Sequence, residues 1–262
     1  MRTITLLTDF GAADGYVPAM KGVIASIAPD ARLEDAGHDI APGDVAGAAF
    51  ALLRYALLYP AGTVHVVVVD PGVGSERRGI AAEADGRCLV GPDNGVFSHV
   101  LGSAEDVRFV ALTNAEYFRE SVSPTFHGRD VFAPVAAHIA NGMALEELGP
   151  QVTDPVRLEW PEPVPDGTEV SGVVLHVDRY GNLITNIRSE LVASGAAVRV
   201  GELVVGRLQR TYADVAEGEV VPLIGSLGLV EISVRDGNAA QLLRTGAGAQ
   251  VWIQARPELS RG

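Results

Sequence analysis

Apolar positions along the chain fall into two textures, and the change between them comes near residue 160. In the first part, short β-branched runs alternate with stretches whose apolar residues recur every three to four positions, the pattern of strands alternating with amphipathic helices. The most continuous run is Val64-His65-Val66-Val67-Val68-Val69, which stops at Asp70-Pro71-Gly72. Lacking polar alternation, it reads as a strand covered on both faces, as in a parallel sheet. Residues 3–8, 32–35 and 107–112 read as further strands, and 79–90 as a hairpin turning at Asp85-Gly86. Helices are predicted after Gly15, with Pro18 in the first turn and Met20, Val23, Ile24 and Ile27 inward, and from an N-cap at Asp44 to about Leu58. A short helix carrying Val96, Phe97, Val100 and Leu101 and another over 131–141 complete an α/β domain over residues 1–158 with a mostly parallel central sheet.

Trp160-Pro161-Glu162-Pro163-Val164-Pro165 is hostile to helix and is read as a linker over residues 159–168. Beyond it, residues 169–177, 197–200, 202–208, 220–224, 229–234 and 249–254 are short apolar runs separated by Gly, Asp and Asn. They predict a smaller all-β, barrel-like domain over 169–262, with room for a short helix at 239–243. Residues 178–186 are explained largely as a hairpin turn.

Composition narrows the partners. A chain of 262 residues that is 47% hydrophobic buries a core without staples, and its single Cys88 permits no internal disulfide, which points to a cytoplasmic setting. No signal peptide is evident, and no apolar run reaches the about 18 residues of a membrane helix. A net charge of −13, with Lys21 the only lysine, argues against nucleic acid and favours a cationic or zwitterionic small molecule.

Candidate chemistry sits where strands empty into loops. Asp70 and Arg77 follow the Val64 strand; Asp9 and Asp14 flank the loop after the first strand, suited to a ribose diol, an amine or a hard metal ion. The same carboxylates also serve as turn starters, and His127 before Gly128-Arg129-Asp130 also reads as a loop residue ahead of an Asp130 N-cap. The other histidines, His38, His65, His99, His138 and His176, lack metal-type spacing. Tyr212 and Trp252 read as core or stacking aromatics.

In order, the chain carries Asp9-Phe10-Gly11, Asp70-Pro71-Gly72-Val73-Gly74, Gly91-Pro92-Asp93-Asn94-Gly95, Thr125-Phe126-His127-Gly128-Arg129-Asp130 and the run from Val177-Asp178-Arg179-Tyr180-Gly181-Asn182 to Asn186. Together these resemble the S-adenosyl-L-methionine (SAM) hydroxide adenosyltransferases, adenosine-forming SAM hydrolases related to the fluorinase and chlorinase. The likeness runs from about residue 3 to about residue 254. It implies an α/β domain, a β-barrel, a homotrimer with sites between subunits, and no metal or other cofactor. It also implies a catalytic Asp70, Arg77 and His127, with Asp9 on the ribose hydroxyls and Asp14 and Asp178 near the methionine ammonium. Asn182 falls on the adenine, with Phe126 and Tyr180 beside the substrate, Tyr212 as an aromatic wall, Ser226 on the methionine carboxylate, and the segment from Arg235 through Asn238 and Ala239 on the base. Gly128 and Asp70 stand where the halogenases place a halide-binding Ser and a Tyr, Gly43 replaces a Trp, and Leu227 an Arg.

Chemistry fits that reading. A sulfonium leaves as a neutral thioether, so attack at the ribose C5′ needs an aligned nucleophile in a dry site and no general acid. A loop carboxylate such as Asp70 is suited to take the proton of an attacking water while Arg77 and His127 orient it. Other classes predict other behaviour: a halogenase depends on chloride, a metal phosphohydrolase built on Asp9, Asp14, Asp93 and His127 is lost to chelator, and a nucleoside-binding module gives no turnover.

Overall fold

In the computed structural model, residues 2–102, 104 and 106–256 are described. The chain divides into two compact units, Met1–Glu159 and Trp160–Gly262.

The first unit holds a six-stranded sheet of β1 (Thr3–Thr8), β2 (Arg32–Gly37), β3 (Val64–Val68), β4 (Gly79–Ala84), β5 (Arg87–Pro92) and β6 (Arg108–Ala111), in the order β2-β1-β3-β5-β4-β6. Pairings from β2 to β5 are parallel, whereas β4 runs antiparallel to both β5 and β6. The sheet is therefore mixed, and its parallel character stops at β5. Reversal of β4 has a local consequence. The segment leaving β3 crosses the end of β5 and enters β4 from the same edge, so Asp70, just after β3, and Arg77, just before β4, arrive together.

Helices α1 (Tyr16–Ile27) and α4 (Ala133–Ala140) pack one core around Met20, Ile24, Val66 and Phe132, all essentially inaccessible. Helix α2 (Val45–Tyr55) and the short α3 (Ser98–Leu101) close a second core with Leu52, Val67, Val69 and Val96. Two cores on opposite faces explain why the Val64 run has no polar alternation. Asp44 caps α2 by accepting from the Gly47 amide at 2.8 Å. That helix ends at Tyr55, and a 3₁₀ turn, Ala56–Leu58, completes the stretch expected as one helix.

Expectation and structure part most clearly ahead of α4. A single helix over 131–141 with Asp130 as cap is replaced by a π-helical turn, Gly128–Phe132, that runs into α4. Asp130 lies within that turn, fully buried, and its carboxylate accepts from the Arg129 guanidinium (2.7 Å), Arg119 (3.2 Å) and the Ser123 amide (2.9 Å). A carboxylate that must serve two guanidiniums and a loop amide cannot also cap a helix from outside it. π-Turns of this kind concentrate at functional sites.

The second unit is an eight-stranded antiparallel sheet in which β7 (Val164–Asp166) pairs β8 (Glu169–Val177) off a path β11-β10-β14-β8-β9-β13-β12. The strands along that path are β9 (Leu183–Arg188), β10 (Ala197–Val200), β11 (Leu203–Arg207), β12 (Val220–Ile224), β13 (Leu229–Val234) and β14 (Gln250–Gln254). A Gln209–Leu223 bridge brings the two ends of the path together. Helix α5 (Ala239–Leu243) starts at Asn238, whose side chain accepts from the Gln241 amide at 2.8 Å. Two features were not anticipated: part of the Pro-rich stretch is itself a strand, β7, and the second half of the presumed hairpin turn is β9, buried from Leu183 to Ile187.

His65 is fully buried on β3, its Nδ1 2.8 Å from Thr5 Oγ1 and its ring edge-on to Tyr55 and Tyr59. Burial, aided by Arg87, pushes its pKa down to about 4. The unfolded chain then binds the extra proton between about pH 6.5 and 4, so stability is full above that window and falls as pH drops through it. The expected loss is about 3 kcal/mol by pH 4. Thermal melts of the wild type and His65→Gln from pH 7 to 4 check this; the variant's melting temperature should depend less on pH.

Candidate active site

The loop between β3 and β4 is held by its own backbone. Val73 donates to the Asp70 carbonyl (3.2 Å), Ser75 donates through both its amide and hydroxyl to the Gly72 carbonyl, and the Arg77 amide donates to Ser75 Oγ (3.2 Å). Gly74 has φ +77°, and a Cβ there would stand 2.5 Å from the Pro124 carbonyl oxygen, so only glycine lets this loop lie against residues 121–127.

That approach brings three side chains into line. Arg77 donates to both carboxylate oxygens of Asp70, Nε to Oδ1 at 3.1 Å and Nη2 to Oδ2 at 2.5 Å, and Nη2 also lies 3.0 Å from His127 Nδ1. The Asp70 and Arg77 side chains are only 5% and 9% exposed. A guanidinium offers no lone pair, so Nδ1 must accept, which puts the proton of the neutral imidazole on Nε2. Burial and then Arg77 hold the His127 pKa below its usual value, favouring that neutral ring. Burial raises the Asp70 carboxyl above its usual value, against the opposing pull of Arg77. A buried carboxylate with raised proton affinity, fixed by a fork of charge-assisted bonds, has the character of a general base.

Asp70 and His127 line a cavity of about 380 Å³ together with Asp9, Phe10, Gly43 and Phe126. Gly43, at φ +74°, turns its amide to Asp9 Oδ2 (2.8 Å), and Oδ1 takes no part in that bond. Beneath Asp9, Thr8 Oγ1 accepts from the Phe10 amide (3.2 Å) and contacts His38 Nδ1 (3.0 Å), whose Nε2 reaches Asp35 Oδ1 at 2.9 Å. Phe10 and Phe126 pack edge to face, with centroids 5.8 Å apart, and Arg129 stacks on Phe126 at 4.8 Å. Gly128 is part of the wall: a Cβ there would meet Val68, Met20 and Phe10 within 3.5 Å. Asp14 is exposed, five residues beyond Asp9 in the same loop.

Asp93, one of the candidate carboxylates, has other employment. Arg78 donates Nε to Asp93 (2.8 Å) and Nη1 to Asp154 (2.8 Å). Asp93 is buried and also accepts from the Val156 amide, so it ties the loop after β5 to the chain near residue 155. No group of three or more His, Cys, Asp or Glu suited to a metal ion occurs among the described residues.

In the second unit, Asp178 accepts at Oδ1 from the amides of Tyr180 (2.9 Å) and Asn182 (3.0 Å) and at Oδ2 from Asn182 Nδ2 (3.0 Å). Gly181 between them has φ +83°, and a Cβ there would collide with the Asn238 side chain; its carbonyl accepts from Ala240. Residues far apart in sequence, Asp178 to Asn182 and Asn238 to Ala239, thus form one corner. Tyr180 is 75% exposed, Ser226 is exposed, and Tyr212 donates its hydroxyl to buried Glu231 at 2.8 Å. Glu231 escaped the sequence reading. Its signal was there: Glu231 and Ser233 are polar at alternate positions of an otherwise apolar strand, so they share one face.

Residues 4–149 match the SAM hydroxide adenosyltransferase N-terminal domain, and residues 172–252 match the C-terminal domain of the same family. A curated protein of Salinispora tropica named (R)-S-adenosyl-L-methionine hydrolase is 40% identical over 262 residues, covering 96% of this chain and 97% of its own. A fluorinase of Nocardia brasiliensis is more distant, at 29% identity over 96% of each chain. Among solved structures, an uncharacterized conserved protein from Thermotoga maritima superposes with a TM-score of 0.88 at 36% identity, over 96% of this chain and 99% of that one.

Proposed function

The chain belongs to the SAM hydroxide adenosyltransferase family, and from that premise we propose that it hydrolyses S-adenosyl-L-methionine to adenosine and L-methionine. The observation that carries this reading is the contact of Asp70, Arg77 and His127 at the wall of a cavity that also holds Asp9.

In this reading Asp9 takes the ribose hydroxyls through the oxygen that Gly43 leaves unbound. Water sits between the Asp70 carboxylate and the ribose C5′. Its oxygen forms the new C–O bond while the C–S bonding pair returns to sulfur, which leaves as the neutral thioether of methionine. Asp70 receives the water's proton and later releases it to solvent. Arg77 holds both Asp70 oxygens and, through His127 Nδ1, fixes the imidazole so that its Nε2–H faces a developing hydroxide. Because the positive charge on sulfur disappears during the step, a carboxylate against sulfur would stabilise the ground state, so Asp70 belongs with the water.

Phe126 borders the substrate, and Asp14 and Asp178 meet the methionine ammonium. Asn182, Tyr180, Tyr212 and the segment reaching Asn238 and Ala239 hold the adenine, and Ser226 the carboxylate. These residues lie on two units, which fits a homotrimer with sites between neighbouring subunits around a barrel-like C-terminal domain. The relatives' (R) designation supports the (R) sulfonium epimer as substrate. No metal or other cofactor takes part, and the setting is cytoplasmic.

Chromatography of SAM incubated with the protein tests the reading: adenosine and methionine should accumulate in equal amounts, and recovery of intact SAM from folded protein would sink it. Chloride should yield no chlorinated nucleoside, since a Cβ at Gly128 is already crowded and the site offers no halide-binding hydroxyl there. Chelator should leave the rate unchanged; a rate lost to chelator and restored by a divalent cation would favour a metal-dependent hydrolase instead.

A further inference from the structure

Glu231 is an unusual residue to find where it is. It sits within β13, 5% exposed, and makes no ion pair with any Lys or Arg among the described residues. Among the described residues, its side chain hydrogen-bonds to two neutral hydroxyls, Tyr212 Oη at 2.8 Å and Ser233 Oγ at 2.9 Å, and both donate to the same oxygen, Oε1. As a stabilising device this is poor, because a buried carboxylate without a cation costs more than an apolar residue of similar size. A residue kept at such a cost invites a different account.

The account lies at the other end of the hydrogen bond. Tyr212 begins a single 3₁₀ turn, Tyr212–Asp214, between β11 and β12, and its side chain is 43% exposed. Asp214 pins the turn by accepting from the amides of Arg210 (3.0 Å) and Thr211 (3.1 Å), which fixes where the ring starts. What fixes where the ring points is its hydroxyl, drawn inward to Glu231. Glu231 pairs with Ile184 of β9, two residues beyond Asn182, so the bond draws the ring toward the end of β9 that carries the Asp178–Asn182 corner.

We infer that Glu231 is a positioning residue: through its bond to the Tyr212 hydroxyl it holds that ring as a fixed wall for the adenine of the substrate. This rests on the SAM-hydrolase reading above. Ser233 steadies Glu231 from the same face of β13. A pre-set ring spares the ligand the entropy of ordering it, so the gain appears as binding affinity for the nucleoside. The hydroxyl stays protonated, and so stays a donor, through the working range: burial and Glu231 push the Tyr212 pKa up to about 12.

Adenosine titration calorimetry and SAM kinetics on the full-length wild type, Tyr212→Phe, Glu231→Gln and the double variant test this. Each single change should weaken adenosine binding by about tenfold, with the loss in SAM kinetics carried mainly in KM, and the double variant should be no weaker than either single one. The melting temperature should hold or rise in Glu231→Gln, which removes a buried charge, and fall modestly in Tyr212→Phe, which takes a donor from it. Unchanged adenosine affinity in Tyr212→Phe, or losses that multiply in the double variant, would overturn the inference. Tyr212→Phe removes one oxygen from a half-exposed ring, so it decides the matter even if Glu231→Gln fails to fold. Wild-type protein that neither binds adenosine nor consumes SAM would instead count against the hydrolase reading, before any variant is compared.

Discussion

Replacing Asp70 by Ala is expected to lower turnover of SAM by about a thousandfold, the middle of the range for a positioned general base. Adenosine affinity should stay within a factor of about three, a change below 1 kcal/mol. The separation follows from geometry. Both Asp70 oxygens are engaged by Arg77, whereas Asp9, proposed above to take the ribose, meets Gly43 through one oxygen alone. Single-turnover kinetics with calorimetry of adenosine check both halves. Lost binding together with normal turnover of the bound fraction would assign Asp70 to the ligand and not to water.

Replacing Arg77 by Met should be more damaging overall, because it acts on stability and chemistry together. Asp70 and Arg77 form a pair whose side chains are 5% and 9% exposed, and leaving one partner of a buried pair alone costs about 3–5 kcal/mol. The chain's cheapest escape is to protonate Asp70. Burial already raises that carboxyl and Arg77 is the main opposing influence, so without Arg77 the pKa rises further. Asp70 must be ionised to accept a proton, and the acidic limb of the pH–rate profile should therefore move to higher pH. Turnover at pH 7 should fall by at least about a hundredfold, since His127 loses its partner in the same change. Arg77→Lys keeps the charge and loses the fork, so it should recover stability better than rate. A pH profile of Arg77→Met identical to the wild type would remove Arg77 from any role in tuning Asp70.

Much of this arrangement could be read from the chain, for identifiable reasons. A strand buried on both faces announces itself by unbroken apolar residues, and Val64 to Val69 did so; an N-cap depends on one local bond, and Asp44 makes it. Local rules were silent where a residue's partner lies far off in sequence. Nothing near Asp130 signals that Arg119 and the Ser123 amide will converge on its carboxylate, so its position ahead of a helix suggested a cap. The second carboxylate on Arg78 is likewise remote, supplied by Asp154, 76 residues on. Strand β9 was hidden because Gly181 and Asn182 directly precede it and its Thr185 and Asn186 are buried polar residues, bonded to Val230 and Pro161. Contact of Arg77 with Asp70 and His127 is the reverse case. Sequence offered the three residues by resemblance, while the reversal of β4 and the turn at Gly74 supply the physical means of meeting.

The approach of Gly74 to Pro124 also sets a rule for anyone rebuilding this protein. With no space for even one methyl group between the two backbones, the internal bonds of each loop are not enough, and each is also fitted to the surface of the other. A graft of residues 70–77 into another scaffold would arrive without the surface it is moulded against. Transplanting the chemistry means moving both loops as one part, with the π-helical turn that anchors the second of them.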